Sequence, residues 1–236
     1  MAASQTLGAG APKARKRSRW GRRLLIVIVL FALAGFLLMR YAMQAQQQPS
    51  PFEAELDRSY PNVKRAMKTV AASLPNGSSL PDSQLMAIVA RTGFQRLDDQ
   101  SILDLIALRA QLAQESDVET CAGLWSGDAP AMIPAIEALP DDQQRQWGQL
   151  LDRAALATIN NSPAMPIPSN EVLQAALNRA SAKLSPADVE LLRTMLGQPG
   201  NQASSDRCRA ARIVWGAMLT APRNDAVTIA RALIAQ

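Results

Sequence analysis

The side chains with chemistry to offer are few. The chain has two cysteines, Cys121 and Cys208, and no histidine. Imidazole is the commonest general base and the usual metal ligand. Two thiols without it fall short of a tetrahedral zinc site. Gly-x-Ser-x-Gly, Ser-x-x-Lys, P-loop and EF-hand spacings do not occur. The expectation is a protein that is not an enzyme, with no catalytic, cofactor-binding or metal-binding residues. The cysteines are 87 positions apart and form no C-x-x-C. In an oxidising compartment an even pair predicts a structural disulfide, and closing a loop of that length stabilises by roughly 4–5 kcal/mol in the chain-entropy picture.

Arg207, Arg209 and Arg212 cluster around the second cysteine and are candidates for contact with an acidic partner. Trp125 is a further candidate contact, since Trp is enriched at interface hot spots. A core-covering role is the competing reading for Trp125, and a solvated charge network with Asp206 for the arginines. Glu115-Ser116, at a predicted helix end, resembles in two residues the Glu-Ser pair of lytic transglycosylases, whose Glu protonates a glycosidic oxygen. Asp117 and Val118 follow instead of that family's aromatic residue, and no Gly-Leu-Met-Gln-like segment appears downstream. A solvated helix C-terminus is the reading for Glu115.

Charge is unevenly distributed. Residues 1–23 carry Lys13, Arg15, Lys16, Arg17, Arg19, Arg22 and Arg23 and no acid, and Arg40 is an eighth basic group. All 20 acids lie at Glu53 or beyond, against 17 of the 25 basic residues, so the remainder is net −3 although the whole chain is +5. Affinity for nucleic acid comes largely from phosphate neutralisation. An acidic domain behind a basic tail therefore argues against nucleic acid as partner.

Leu24–Met39 reads LLIVIVLFALAGFLLM, an uncharged apolar run. Sixteen helical residues span roughly 24 Å, short of the roughly 30 Å hydrocarbon core. Extension to Met43, with Arg40 snorkelling to the interface, completes the span. Trp20 and Tyr41 bracket it at headgroup level, and Arg22 and Arg23 belong to its positive flank. The positive-inside rule then predicts a cytoplasmic N-terminus and an exported C-terminal domain. A cleavable signal peptide fits less well, because Met43 and Arg40 stand where small residues should precede a cut after Ala45 or Ala42. Arg22-Arg23 also matches a twin-arginine export signal.

The expected organisation is a basic cytoplasmic tail (1–23), a transmembrane helix in contact with lipid (24–43), a Gln/Pro-rich tether (44–51) and an all-helical periplasmic domain (52–236). The fold class is all-α: one N-terminal transmembrane helix, then an irregular multi-helix exported domain stapled by the disulfide. Helix starts are written in Asp82, Asp98, Asp117, Ser169, Ser185-Pro186, Ser204 or Ser205, and Asn224, and stops in Gly93 and Gly197. Asp98–Gln114 is the expected central helix, carrying Ile102, Leu105, Ile106 and Leu112, with Leu103 and Leu108 widening its apolar face. Trp147, Leu150, Leu151 and Ala154 share one face of a helix over 141–159, and the helix capped by Ser169 carries Val172, Leu173, Ala176, Leu177 and Ala180. Cys208, Ala211, Trp215 and Met218, spaced 3, 4, 3, place the second cysteine on a buried stripe. Phe52, Leu56, Tyr60, Val63, Met67, Val70 and Leu74 form another stripe. It either packs on its own domain or makes a homodimer seam through residues 52–74.

The Ala- and Arg-rich, Lys-poor composition of the exported part suits a bacterial inner-membrane protein. The function expected is a non-enzymatic protein-interaction module, an envelope scaffold or accessory subunit of a membrane or secretion complex with an envelope protein as partner. The alternative is a periplasmic inhibitor or immunity protein against an exported toxin or cell-wall enzyme. A peptidoglycan-acting enzyme is a remote third.

Overall fold

The computed structural model describes residues 50–75, 79–125, 129–197 and 202–235. The predicted span at residues 24–43 and its interface anchors Trp20, Arg22, Arg23, Arg40 and Tyr41 lie outside the described residues. Among the described residues no helix is long and apolar enough to cross a membrane. The all-helical expectation holds: secondary structure runs as α1 (Pro51–Ser59), α2 (Pro61–Ser73), α3 (Asp82–Phe94), α4 (Asp99–Glu115), α5 (Val118–Trp125), α6 (Ala129–Glu137), α7 (Asp141–Ile159), α8 (Asn170–Ser181), α9 (Pro186–Gly197), α10 (Ser204–Thr220) and α11 (Arg223–Ile234).

Local chemistry accounts for most of these boundaries. Ser50 and Glu53 form a reciprocal capping box ahead of α1, with Pro51 pre-set for the first turn, so helix begins inside the expected tether. Asp98 accepts from the Ser101 N–H at 2.7 Å to start α4, and Asp117 accepts from the N–H groups of Glu119 and Thr120 to start α5. Ser169 and Ser185 do the same for α8 and α9. Asn224 is not the cap of α11, which follows Pro222, and Asp225 occupies its first turn.

Two expectations give way to tertiary packing. Gly93 does not stop α3; the helix continues to Phe94. Gly93 is buried where α3 crosses α7, and a Cβ there would overlap the Ala154 backbone. The glycine serves close approach rather than termination. On α8 the inward face is narrower than expected, because Val172 and Leu177 are exposed while Ala176 is buried and Leu173 and Ala180 only pack against the core.

The central helix is α4. It packs against α7, α10, α11 and α5, and Ile102, Leu105, Ile106 and Leu112 are fully buried within it. To one side α2, α3 and α7 pack together around Trp147, Leu150 and Val89; to the other α5 and α10 pair, α11 lies on α8, and α9 lies on α10. Each large apolar side chain so buried contributes about 1.5–3 kcal/mol before entropy is set against it. Phe52, Leu56, Val63 and Val70 are buried in this core, with Tyr60, Met67 and Leu74 packed against it. The apolar stripe of residues 52–74 thus folds onto its own domain.

Candidate partner-binding surfaces

Cys121 of α5 and Cys208 of α10 are disulfide-bonded, with Cα atoms 4.9 Å apart and both side chains buried. The bridge fixes α5 against α10, and Ser204 donates to Glu119 at 2.9 Å beside it. It is a core staple, as the 3, 4, 3 stripe on α10 implied.

The arginines around it do different jobs. Arg209 donates to Asp188 of α9 at 2.7 Å and is neutralised there. The Asp188 carboxyl is held below the ordinary carboxylate range by hydrogen bonds from Ser185 and from Arg209. Arg212 donates from Nε to the Ala113 carbonyl at 2.8 Å and from Nη2 to the Ser116 carbonyl at 3.0 Å. It thereby satisfies the free carbonyls at the C-terminus of α4, the negative end of the helix dipole. Arg207 donates to the Ser204 hydroxyl at 3.2 Å, and its buried Nε has no acceptor. Trp125 ends α5 half-buried, packed against the core. Glu115 is exposed at the end of α4, where its carboxylate accepts from Gln111.

A fourth arginine escapes notice in sequence because it sits among leucines. Arg109 shares the inner face of α4 with Leu105, Ile106, Leu112 and Ala113, all buried. Its guanidinium carbon lies 5.6 Å from the centre of the Trp215 ring on α10, within cation–π range. Apolar packing around it pushes its pKa down to about 10, which leaves it charged at neutral pH. The signal available in sequence was a charge on a core stripe.

A second surface is the connection between α7 and α8. Asn161 adopts φ 47°, the left-handed turn that follows a helix end and that Asn tolerates better than most residues. Residues 162–169 then read SPAMPIPS, and each proline disfavours helix in the residue before it. The segment is tied down by Met165 N–H donating to the Gln95 carbonyl at 2.9 Å and by Arg96 donating to the Ser162 carbonyl. Together with Phe94, Arg231 and Ile234 it lines a small cleft. Met165 is 40% exposed and Ile167 69%, so a tied-down backbone holds two large apolar side chains in solvent. Compared with family models, curated proteins and solved structures, the chain matches none.

Proposed function

We propose that this chain is a single-pass, membrane-anchored protein-interaction module, an envelope scaffold or accessory subunit whose helical domain lies on the non-cytoplasmic side. The observation that carries the interaction reading is the 162–169 segment. Exposed Met165 and Ile167 on a backbone pre-ordered by three prolines present apolar surface at low conformational cost, as a docking element requires. The segment leaves the C-terminal end of α7. The chain enters the domain through α1, which lies against α6 and the N-terminal half of α7: the Phe52 N–H donates to Glu137 and the Tyr60 hydroxyl to the Arg145 carbonyl. The stretch of α7 from Arg145 to Ile159 puts roughly 21 Å between the two points. A partner can therefore reach the loop without meeting the chain's entry point. The anchor rests on the apolar run at residues 24–39 with its basic flank, and the disulfide agrees with an oxidising compartment.

The test is site-specific photocrosslinking in the native membrane, with the reactive group at position 167 and, as control, at exposed position 193 of α9. A discrete protein adduct from 167, absent from 193 and lost when Met165 becomes Asp, is expected. Equal labelling from both positions, or none from 167, removes the interaction reading. For topology, a reporter fused after Gln236 should be active only outside the cytoplasm, and cytoplasmic activity overturns the anchor.

A further inference from the structure

Arg109, Arg207 and Arg212 line the packing seam between α4 and α10 and the neighbouring first turn of α10. None of the three is ion-paired to a carboxylate among the described residues. Arg212 and Arg207 direct donors at carbonyls and a hydroxyl, so their charges are solvated by protein dipoles but not cancelled. Arg109 is the extreme case. Its Nε is sealed from solvent with no acceptor among the described residues, while the residue as a whole keeps intermediate exposure and its terminal nitrogens are not among the sealed, unpartnered atoms. A guanidinium offers five donors in a planar fork, and this one makes no hydrogen bond to the described protein.

Such a charge opposes stability. Crowding a cation among apolar side chains without an anion carries a desolvation penalty, and an unbranched apolar residue of similar length would fill the same channel without it. Stacking on Trp215 offsets part of that penalty by about 0.5–2 kcal/mol. What the arrangement does provide is a pre-oriented fork, stiffened by the ring on one side, with no carboxylate paired to it among the described residues. Arg212, one turn earlier on α10 than Trp215, adds to the positive potential. The surrounding domain is net acidic, so the seam contrasts with it in sign.

We infer that the Arg109–Trp215 pair is a receptor for a carboxylate, supplied by an Asp or Glu side chain of a protein partner and held by the outward nitrogens of the guanidinium. A carboxylate matches the fork in a bidentate manner, and its placement beside a Trp ring in a partly desolvated seam is the setting in which an Arg becomes a binding hot spot. The site uses residues separate from the 162–169 segment, and neither depends on the other.

The experiment follows the Arg109 Nε–H resonance of the full-length chain, labelled with nitrogen-15 at arginine, during titration with a blocked tripeptide, acetyl-Ala-Glu-Ala-amide. Acetyl-Ala-Gln-Ala-amide, sodium acetate and sodium chloride at equal ionic strength are the companions. A saturable shift with the Glu peptide, at least tenfold weaker with the Gln peptide and absent with chloride, is expected. Arg109→Lys, which keeps the charge and loses the fork, should weaken binding about tenfold, and Arg109→Met should abolish it without lowering the melting temperature. A chloride response equal to that of the Glu peptide reduces the site to an ionic atmosphere. Saturation by acetate but not by the Glu peptide excludes a protein side chain. A lower melting temperature for Arg109→Met with Glu-peptide affinity intact in Arg109→Lys makes the residue a packing element. Each of these three results overturns the inference.

Discussion

Asp225, in the first turn of α11, and Arg179, near the end of α8, form a two-pronged ion pair: Nε to Oδ2 at 2.8 Å and Nη2 to Oδ1 at 2.7 Å. The Asp225 side chain is buried and that of Arg179 mostly exposed, so the arginine lies over the carboxylate as a lid on the α8–α11 junction. The hydrogen bond from Arg179 holds the Asp225 carboxyl below the ordinary carboxylate range. The folded state therefore takes up this proton less readily than the unfolded chain. The stabilisation is complete above the unfolded pKa of about 4 and is lost as pH falls through the folded value. Asp98, held down by the Ser101 N–H, and Asp188 act in the same sense. Denaturant melts at a series of pH values should show wild type losing stability below about pH 4. Asp225→Asn should be less stable than wild type at neutral pH, and the gap should close in acid; a gap independent of pH would contradict the pairing.

Removal of the disulfide tests the staple. Cys121→Ser with Cys208→Ser should lower stability by about 2–5 kcal/mol. Wild type melted in reductant should coincide with the double variant. Alkylation of the mature protein without reductant should label no thiol, and two labelled thiols would show that the bridge does not form.

Gly93→Ala should be among the costliest single-methyl additions in the domain, at about 3 kcal/mol, because the clash is with Ala154 backbone that cannot rotate away. Gly148→Ala meets the Tyr60 ring, a side chain able to turn, and should lose only about 1 kcal/mol. Equilibrium urea unfolding of both variants gives the comparison, and the reverse order would show that the α3–α7 crossing is not the tight one.

Ile167→Asp should leave stability within about 0.5 kcal/mol of wild type, since that side chain is largely in water, whereas Met165→Asp, at a side chain only 40% exposed, should lose more. With the photoreactive group at position 167, Met165→Asp should lower the crosslinked adduct at least tenfold. A large loss of stability in Ile167→Asp would make the segment part of the core, contrary to its exposure.

How much of this was written in the chain follows a physical division. Caps act over three residues, and so Asp98, Asp117, Ser169 and Ser185 announced their helices correctly. The apolar stripes of α4, α7 and α10 repeat at helical period and identified their buried faces. Gly93 misled because a glycine that ends a helix and one that admits another backbone look the same until α7 is in place. Val172 and Leu177 misled because the width of a buried stripe depends on its neighbour, and α11 with the edge of α10 covers only part of α8. The arginines were the least legible. Arg207, Arg209 and Arg212 look alike in sequence, yet one faces Asp188, one faces the carbonyls that end α4 and one faces Ser204, and those acceptors are set by topology. Arg109 stood apart from them because its partner, Trp215, lies 106 positions away.

The packing of α4 also sets a timetable. Its buried face is completed by α10 and α11, and Cys121 in the next helix finds its partner only at Cys208. A chain delivered from its N-terminus, whether from a ribosome or through a translocation pore, must hold the apolar face of its central helix uncovered and a thiol unpaired until the last helices emerge. The early part of the chain is thus a natural client for holding chaperones and thiol oxidases, and a stalled or truncated product is open to proteolysis until residues beyond Thr220 arrive.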